Sequence, residues 1–431
     1  MIAAEVKYKK TGIDWMPEVP EHWEIVRLKN VTKVVSGATP KSSVSANWDG
    51  NINWVTPAEF GDEMFIGESV RKITKTGLQS CAAALVPIGS IILSNRAPIG
   101  SLGISKVELC TNQGCKSIIP TQINNYFLYF LMTLQKENLN VLGNGTTFRE
   151  LATPSLRNYK IPFPPREEQD KIASHLYDEN EKITHFIQTK QRFIELLKEQ
   201  RQSIITNAVT KGIDDGVKMK ETVLGEIPEH WEVRRLKFCL NEKLKYGANA
   251  SGDYYNPSWY RYIRITDFTP EGTLDENNKL SLSPENGKDY ELKDGDILLA
   301  RSGATVGKSF QFRLVDRNER CCYAGYLIKA SPNEEIILSD FLYNYTLSSN
   351  YENWKNSIFI KATIENISAD KYANLLVTLP PINEQKRILE HIQSETKTLD
   401  IAISKAEREI ELIKEYREAM IAEAVTGKMK L

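Results

Sequence analysis

The chain repeats itself, and this limits its fold more than any local pattern does. Pro20-Glu21-His22-Trp23-Glu24 returns as Pro228-Glu229-His230-Trp231-Glu232, and Arg27-Leu28-Lys29 returns as Arg235-Leu236-Lys237, both 208 residues further on. Pro164-Pro165-x-x-Glu168-Gln169 returns as Pro380-Pro381-x-x-Glu384-Gln385, 216 residues further on. His175 matches His391, Glu195-Leu196 matches Glu411-Leu412, and Ala208-Val209-Thr210 matches Ala424-Val425-Thr426. Between these anchors the halves agree only in outline. Residues 53–60 (Asn-Trp-Val-Thr-Pro-Ala-Glu-Phe) align with 261–268 (Arg-Tyr-Ile-Arg-Ile-Thr-Asp-Phe), and 89–96 resemble 295–301. The frame is kept and the loop residues are exchanged, as expected of two different recognition surfaces on one scaffold.

At 431 residues the chain can bury two or three cores. No apolar run approaches the ~20 residues of a membrane span. The start, Met1 to Lys10, is charged and lacks the apolar core of a signal peptide, so a cytoplasmic location is expected. The six cysteines (Cys81, Cys110, Cys115, Cys239, Cys321, Cys322) form no C-x-x-C pair and do not recur between the halves. That speaks against a disulfide frame or zinc site. The formal charge of −1 confines any nucleic-acid surface to a local patch. Four of the five histidines are duplicated without a Ser, Cys or Asp partner pattern. His22 and His230 therefore read as structural.

The clearest elements follow each Pro-Pro. From about Glu167 to Val209 there is no Pro or Gly, and apolar residues recur at heptad spacing. The seam of the first copy holds Leu176, Ile183, Ile187, Ile194, Leu197, Arg201 and Ile204. That of the second holds Ile392, Leu399, Ile403, Ile410, Ile413, Arg417 and Met420. Each spans about 43 residues, or ~65 Å of helix. Eight basic residues balance eight acidic ones over 166–212, so these are not phosphate-binding arms. Arg201 and Arg417 share a seam position; they read as snorkelling or register-setting residues, with a partner-protein contact as the alternative. Two such helices, each after its own globular domain, pack naturally as an antiparallel pair.

The expected fold is α+β. An N-terminal segment (1–19) precedes a first mixed α/β domain (20–165) and a central helix (166–212). A linker (213–227), a second mixed domain (228–381) and a C-terminal helix (382–431) follow. Short β-rich runs alternate with Gly/Asn/Ser/Pro loops, and one short helix is expected in each domain, near 125–135 and 339–347.

The Pro-Glu-His-Trp-Glu-x-x-x-Leu-Lys opening, the Gly-Asp-Ile-Leu-x-x-Arg strand, the Pro-Pro-x-x-Glu-Gln helix start and the Ala-Val-Thr-Gly-Lys close, all repeated in order, resemble the specificity subunits of type I restriction–modification systems. The resemblance covers essentially the whole chain. It implies two target-recognition domains, each reading one half of a split DNA site. Two antiparallel helices would act as ruler and as platform for two methyltransferase subunits, and restriction subunits would complete the nuclease. It implies no cofactor on this chain, with S-adenosylmethionine, ATP and Mg on the partner subunits. Two details depart: the first helix closes Ala208-Val-Thr-Lys-Gly, and the first domain has Gly-Ser before its strand.

Backbone contacts to DNA need Lys, Arg and small polar groups, and base reading needs Arg, Asn, Gln, Ser or Thr on loops. In the first domain these are Ser36, Thr39, Lys41, Asn95, Arg96, Thr146, Thr147 and Arg149. In the second they are Lys243, Lys245, Tyr246, Asn249, Tyr255, Arg261, Arg264, Arg301, Ser302, Thr305, Lys308, Lys361 and Thr363. Tyr254 to Arg264 interleaves four Tyr and a Trp with two Arg. An ordinary solvated loop is the plain alternative for any one of these residues.

The sequence offers three rival readings. Ser302-Gly-Ala-Thr-Val-Gly-Lys-Ser309 nearly spells a phosphate loop, but Ser302 replaces its first Gly and a strand-like Phe310-Gln-Phe312 follows where a helix is required. Asn256-Pro-Ser-Trp259 resembles the Asn-Pro-Pro-Tyr motif of adenine methyltransferases, without a glycine-rich loop after a strand upstream to bind the methyl donor. A non-DNA coiled-coil scaffold is the third.

Overall fold

Two helices of 46 and 44 residues, Arg166–Lys211 and Ile382–Val425, run without a break from the Pro-Pro anchors. The absence of Pro and Gly permits this length, and an apolar stripe at heptad spacing gives each helix a face to bury. The computed structural model describes residues 7–61, 63–96, 98–143, 149–269, 272–303, 305–314, 316, 318–359 and 366–431. Its contacts divide the chain into two units, Met1–Lys190 with Arg408–Leu431, and Gln191–Glu407. Each unit thus holds one globular domain, the first part of the helix that follows it, and the last part of the other helix.

The helices pack antiparallel within each unit. In the second unit Lys198 pairs with Glu407 at 3.2 Å and Arg201 with Asp400 at 2.8 Å, so numbering rises on one helix as it falls on the other. In the first unit Lys190 pairs with Glu409 at 2.5 Å. Of the expected seam, Leu176, Ile183, Ile187, Ile194, Leu197, Ile392, Ile403, Ile410 and Met420 are buried. Ile204, Leu399, Ile413, Arg201 and Arg417 are half-buried, at the margin of the seam. Ile205, not Ile204, is fully buried, because the end of this helix leaves the seam and enters a globular core beside Trp231 and Val377.

The first unit contains a five-stranded sheet in the order Thr32–Ser36, Cys115–Pro120, Ile91–Ser94, Leu102–Ser105, Phe65–Ile66. Beside it lies a three-stranded sheet of Leu109–Thr111, Trp48–Val55 and Lys72–Ile73. The second unit has two four-stranded sheets. One is ordered Lys245–Tyr246, Leu327–Ala330, Ile297–Ala300, Ser309–Gln311, and the other Asp253–Tyr254, Leu280–Leu282, Tyr260–Ile263, Cys321–Tyr323. One parallel strand pair recurs at a matching place in both units: Asn53 faces Leu109, and Arg261 faces Cys321. The helices expected near 125–135 and 339–347 are Asn125–Thr133 and Ser339–Thr346. The first starts where the Asn124 side chain accepts from the N–H groups of Tyr126 and Phe127.

The segment expected as a linker carries structure. Met219–Thr222 and Gly225–Pro228 form a hairpin, and Tyr8–Ile13 and Met16–Pro20 form its counterpart in the first unit. The duplication therefore starts before the Pro-Glu-His-Trp anchor, where sequence identity is too thin to show it.

Candidate nucleic-acid interface

In the first domain the pairing of the five-stranded sheet gathers several loops at one end. Ser36 faces Lys116, and Cys115 faces Ser94. The loops after Ser36, before Cys115 and after Ser94 therefore start side by side. Gly37 lets two of them touch: a Cβ there would lie 2.0 Å from the carbonyl oxygen of Asn112. Ala38 N–H donates to Thr111 at 2.9 Å, and the Trp54 indole donates to the Ala38 carbonyl at 3.0 Å. The Trp48 indole donates to the Lys41 carbonyl at 3.3 Å, and the Arg71 guanidinium stacks on Trp48 at 3.9 Å.

A polar cluster sits among these loop starts. Lys116 Nζ donates to Ser36 Oγ at 3.1 Å. Asn95 Nδ2 donates to one oxygen of Glu150 at 3.0 Å, and Arg96 Nε to the other at 3.3 Å. Burial pulls the Lys116 amine below its ordinary value, the Glu150 carboxylate pushes it up, and Arg96 adds to the lowering.

The second domain reproduces the backbone of this site with other side chains. Gly247 stands in place of Gly37, its Cβ position 2.3 Å from the Ala324 carbonyl oxygen. Ala248 N–H donates to Tyr323 at 2.9 Å, and the Tyr262 hydroxyl donates to the Ala248 carbonyl at 2.9 Å where Trp54 does so in the first copy. Arg301 N–H bonds Tyr326 as Asn95 N–H bonds Gly114, and Ile367 N–H bonds Arg301 as Leu151 N–H bonds Asn95. The backbone bridge between Arg96 and Glu150 recurs between Ser302 and Asn366. Across this frame Asn95 is exchanged for Arg301, Arg96 for Ser302, Glu150 for Asn366, and Lys116 for Ile328.

The residues proposed from sequence fall into three groups. Ser36, Thr39, Lys41, Arg96, Arg149, Lys243, Lys245, Tyr246, Asn249, Tyr255 and Lys308 are exposed, and Arg301, Ser302 and Thr305 are half-buried. Of these, Ser36, Thr39, Lys41, Arg96, Tyr246, Asn249, Arg301 and Ser302 belong to the two matching loop clusters. Arg261 is a correction: its side chain is 2% exposed, held by Glu276 at 2.8 Å and Glu319 at 3.2 Å. Its strand, Tyr260–Ile263, is covered on both faces, so the aromatic–basic interleaving there is core. Arg264 is half-buried and tied to Asp267 through two nitrogens, and Asn95 is buried. Thr146, Thr147, Lys361 and Thr363 lie outside the described residues. Sequence reasoning missed Lys116 and Glu150. Lys116 is hidden in an apolar strand, and Glu150 carries the charge opposite to that sought.

The rival motifs are used otherwise. The segment ending at Ser309 runs into a strand, Ser309–Gln311, and Asn256 Oδ1 accepts from Ser258 N–H at 3.0 Å in a local turn. Burial pushes the Cys110, Cys115, Cys321 and Cys322 thiols up to about 12. Among the described residues no group of His, Cys, Asp and Glu is placed to hold a metal.

Residues 20–204 and 228–412 each match the type I restriction modification DNA specificity domain. The chain belongs to this family. Both matches open at a Pro-Glu-His-Trp anchor and end inside a long helix, so the family boundaries follow the duplication. The MjaIX type I restriction enzyme specificity subunit of Methanocaldococcus jannaschii is 27% identical, over 99% of this chain and 97% of its own. The EcoBI specificity subunit of Escherichia coli is 21% identical, over 97% of this chain and 88% of its own. A chain solved in work on complex assembly and conformational transition of the type I R-M system superposes with a TM-score of 0.68. That match covers 95% of this specificity subunit and 99% of the other chain at 16% identity, and establishes the shared fold.

Proposed function

We propose that this specificity subunit reads an asymmetric, two-part DNA site, one part with each domain, and performs no chemistry itself. The observation that carries this reading is the repeated loop cluster: one backbone frame, held by the same hydrogen bonds, presents different polar side chains in the two copies. A binder of one repeated ligand would keep the side chains too. The long helices are the platform on which two methyltransferase subunits and the restriction subunits assemble. S-adenosylmethionine belongs to the methyltransferase subunits, and ATP and Mg to the rest of the assembly. The work is done in the cytoplasm, where the DNA is; no helix among the described residues is long and apolar enough to cross a membrane.

The test is activity by parts. The purified chain alone should neither methylate nor cut duplex DNA. Adding its methyltransferase partner and methyl donor should produce adenine methylation at a split sequence. Methyl transfer by the chain alone would overturn the reading.

A further inference from the structure

The shared frame gives one position special status. Among the described residues, the buried side-chain polar atoms lacking a hydrogen-bond partner are Asn95 Oδ1 and Arg301 Nε. These residues occupy the same backbone place in the two domains, each fixed by the same pair of main-chain hydrogen bonds. A buried polar atom left without a partner costs roughly 1–3 kcal/mol, so its occurrence at equivalent places in both copies calls for a ligand-bound role.

The surroundings of the two places differ. The Arg301 guanidinium lies over the Tyr246 ring at 4.8 Å, and the ring is fixed where its hydroxyl accepts from Ala369 N–H at 3.0 Å. Arg301 makes no ion pair among the described residues, unlike Arg261, Arg264 and Arg313. It is a donor fork lying over that ring, with no carboxylate paired to it among the described residues. In the first domain the place offers a carboxylate acceptor, set beside Arg96 and Lys116. Asn95 and Arg96 occupy two of the roughly four lone-pair sites of the Glu150 carboxylate, and the side chain is 43% exposed. A carboxylate facing polyanionic DNA is unfavourable unless it meets a donor, and the base donors in the major groove are the amino groups of cytosine and adenine.

Resting on the reading of this chain as a two-part DNA reader, we propose that this place, together with the strand bridged beside it, sets base choice in each domain. Arg301 selects guanine through its O6 and N7 acceptors. Glu150, positioned by Asn95, selects a base bearing an exocyclic amino group.

The experiment uses the assembled methyltransferase and methylation-sensitive sequencing of the DNA it modifies. Wild type is compared with Glu150→Gln, Arg301→Gln and Arg301→Lys; the last keeps the charge, loses the fork, and guards against failed assembly. Each variant should lose roughly ten- to hundredfold of its preference at one base position. Glu150→Gln should act in one half-site and the Arg301 variants in the other. Variants that retain the wild-type bases, or that weaken methylation equally at all sequences, overturn the proposal. A wild-type enzyme whose site is not split would instead overturn the two-part reading beneath it.

Discussion

Glu168 and Glu384 explain why the Pro-Pro-x-x-Glu-Gln motif accompanies Pro-Glu-His-Trp in both copies. Glu168 accepts from the Trp23 indole at 2.8 Å and bonds His22 Nε2 at 2.7 Å; Glu384 does the same with Trp231 at 3.0 Å and His230 at 2.8 Å. The next residue finishes the joint. Gln169 donates to Pro164 and accepts from Asn124 N–H, and Gln385 donates to Pro380 and accepts from Leu338 N–H. Gly212 and Gly427, both left-handed after a long helix, lie against Trp231 and Trp23. The Lys-Gly order that ends the first helix thus still delivers a glycine to its tryptophan. Glu384→Ala should cost about 1–3 kcal/mol, since the indole N–H of buried Trp231 loses its acceptor. Glu168, more exposed, should cost less when replaced by Ala, and denaturant midpoints of the two variants will show the order. That the histidines are structural is legible from their repetition. Their partners are not, because each lies about 150 residues away in sequence. Arg261 looks exposed in the sequence for the same reason: Glu319, which buries with it, is 58 residues off.

At the scale of elements, the long helices are legible in full, but of the strands only the most apolar runs, such as Ile91–Ser94 and Ile297–Ala300, are. An uninterrupted heptad stripe is a local signal, whereas most strands here are two to six residues long and pair with distant segments. The seam itself predicts a graded response. Leu197 is 8% exposed, and Leu197→Asp should destabilise by at least ~3 kcal/mol through an unpaired buried charge. Ile413 is half-buried, so Ile413→Asp should cost clearly less. Arg201 repeats at Arg417, but its partner Asp400 has Thr184 as counterpart, so the ion pair does not repeat. With both side chains more than a third exposed, Arg201→Ala should change stability by about 0–1 kcal/mol. Unfolding curves that rank Ile413→Asp or Arg201→Ala above Leu197→Asp would displace the seam from where the burial puts it.

At the scale of the whole molecule, each loop cluster is completed inside one unit, from residues 36–41, 95–96, 111–116 and 149–150 in the first and their counterparts in the second. Base choice in one half-site should therefore be separable from the other. Exchanging residues 30–160 for the equivalent domain of a relative cuts the chain beside the pairing of Glu24–Arg27 with Lys160–Phe163. It leaves Trp23, His22, Glu168 and both long helices as they are. The exchanged enzyme should methylate a site with one new half, one old half and an unchanged spacer. Readers on one face of a duplex sit about one helical turn apart, ~10 bp between centres, which leaves a spacer of roughly 5–8 bp between short half-sites. Adding one heptad to each long helix preserves the apolar seam, so this second variant should keep both halves and change only the spacer. The sequenced methylation pattern separates the outcomes. A domain exchange that alters both halves, or a helix insertion that alters the bases read, would mean that recognition is shared between the units and not contained within each.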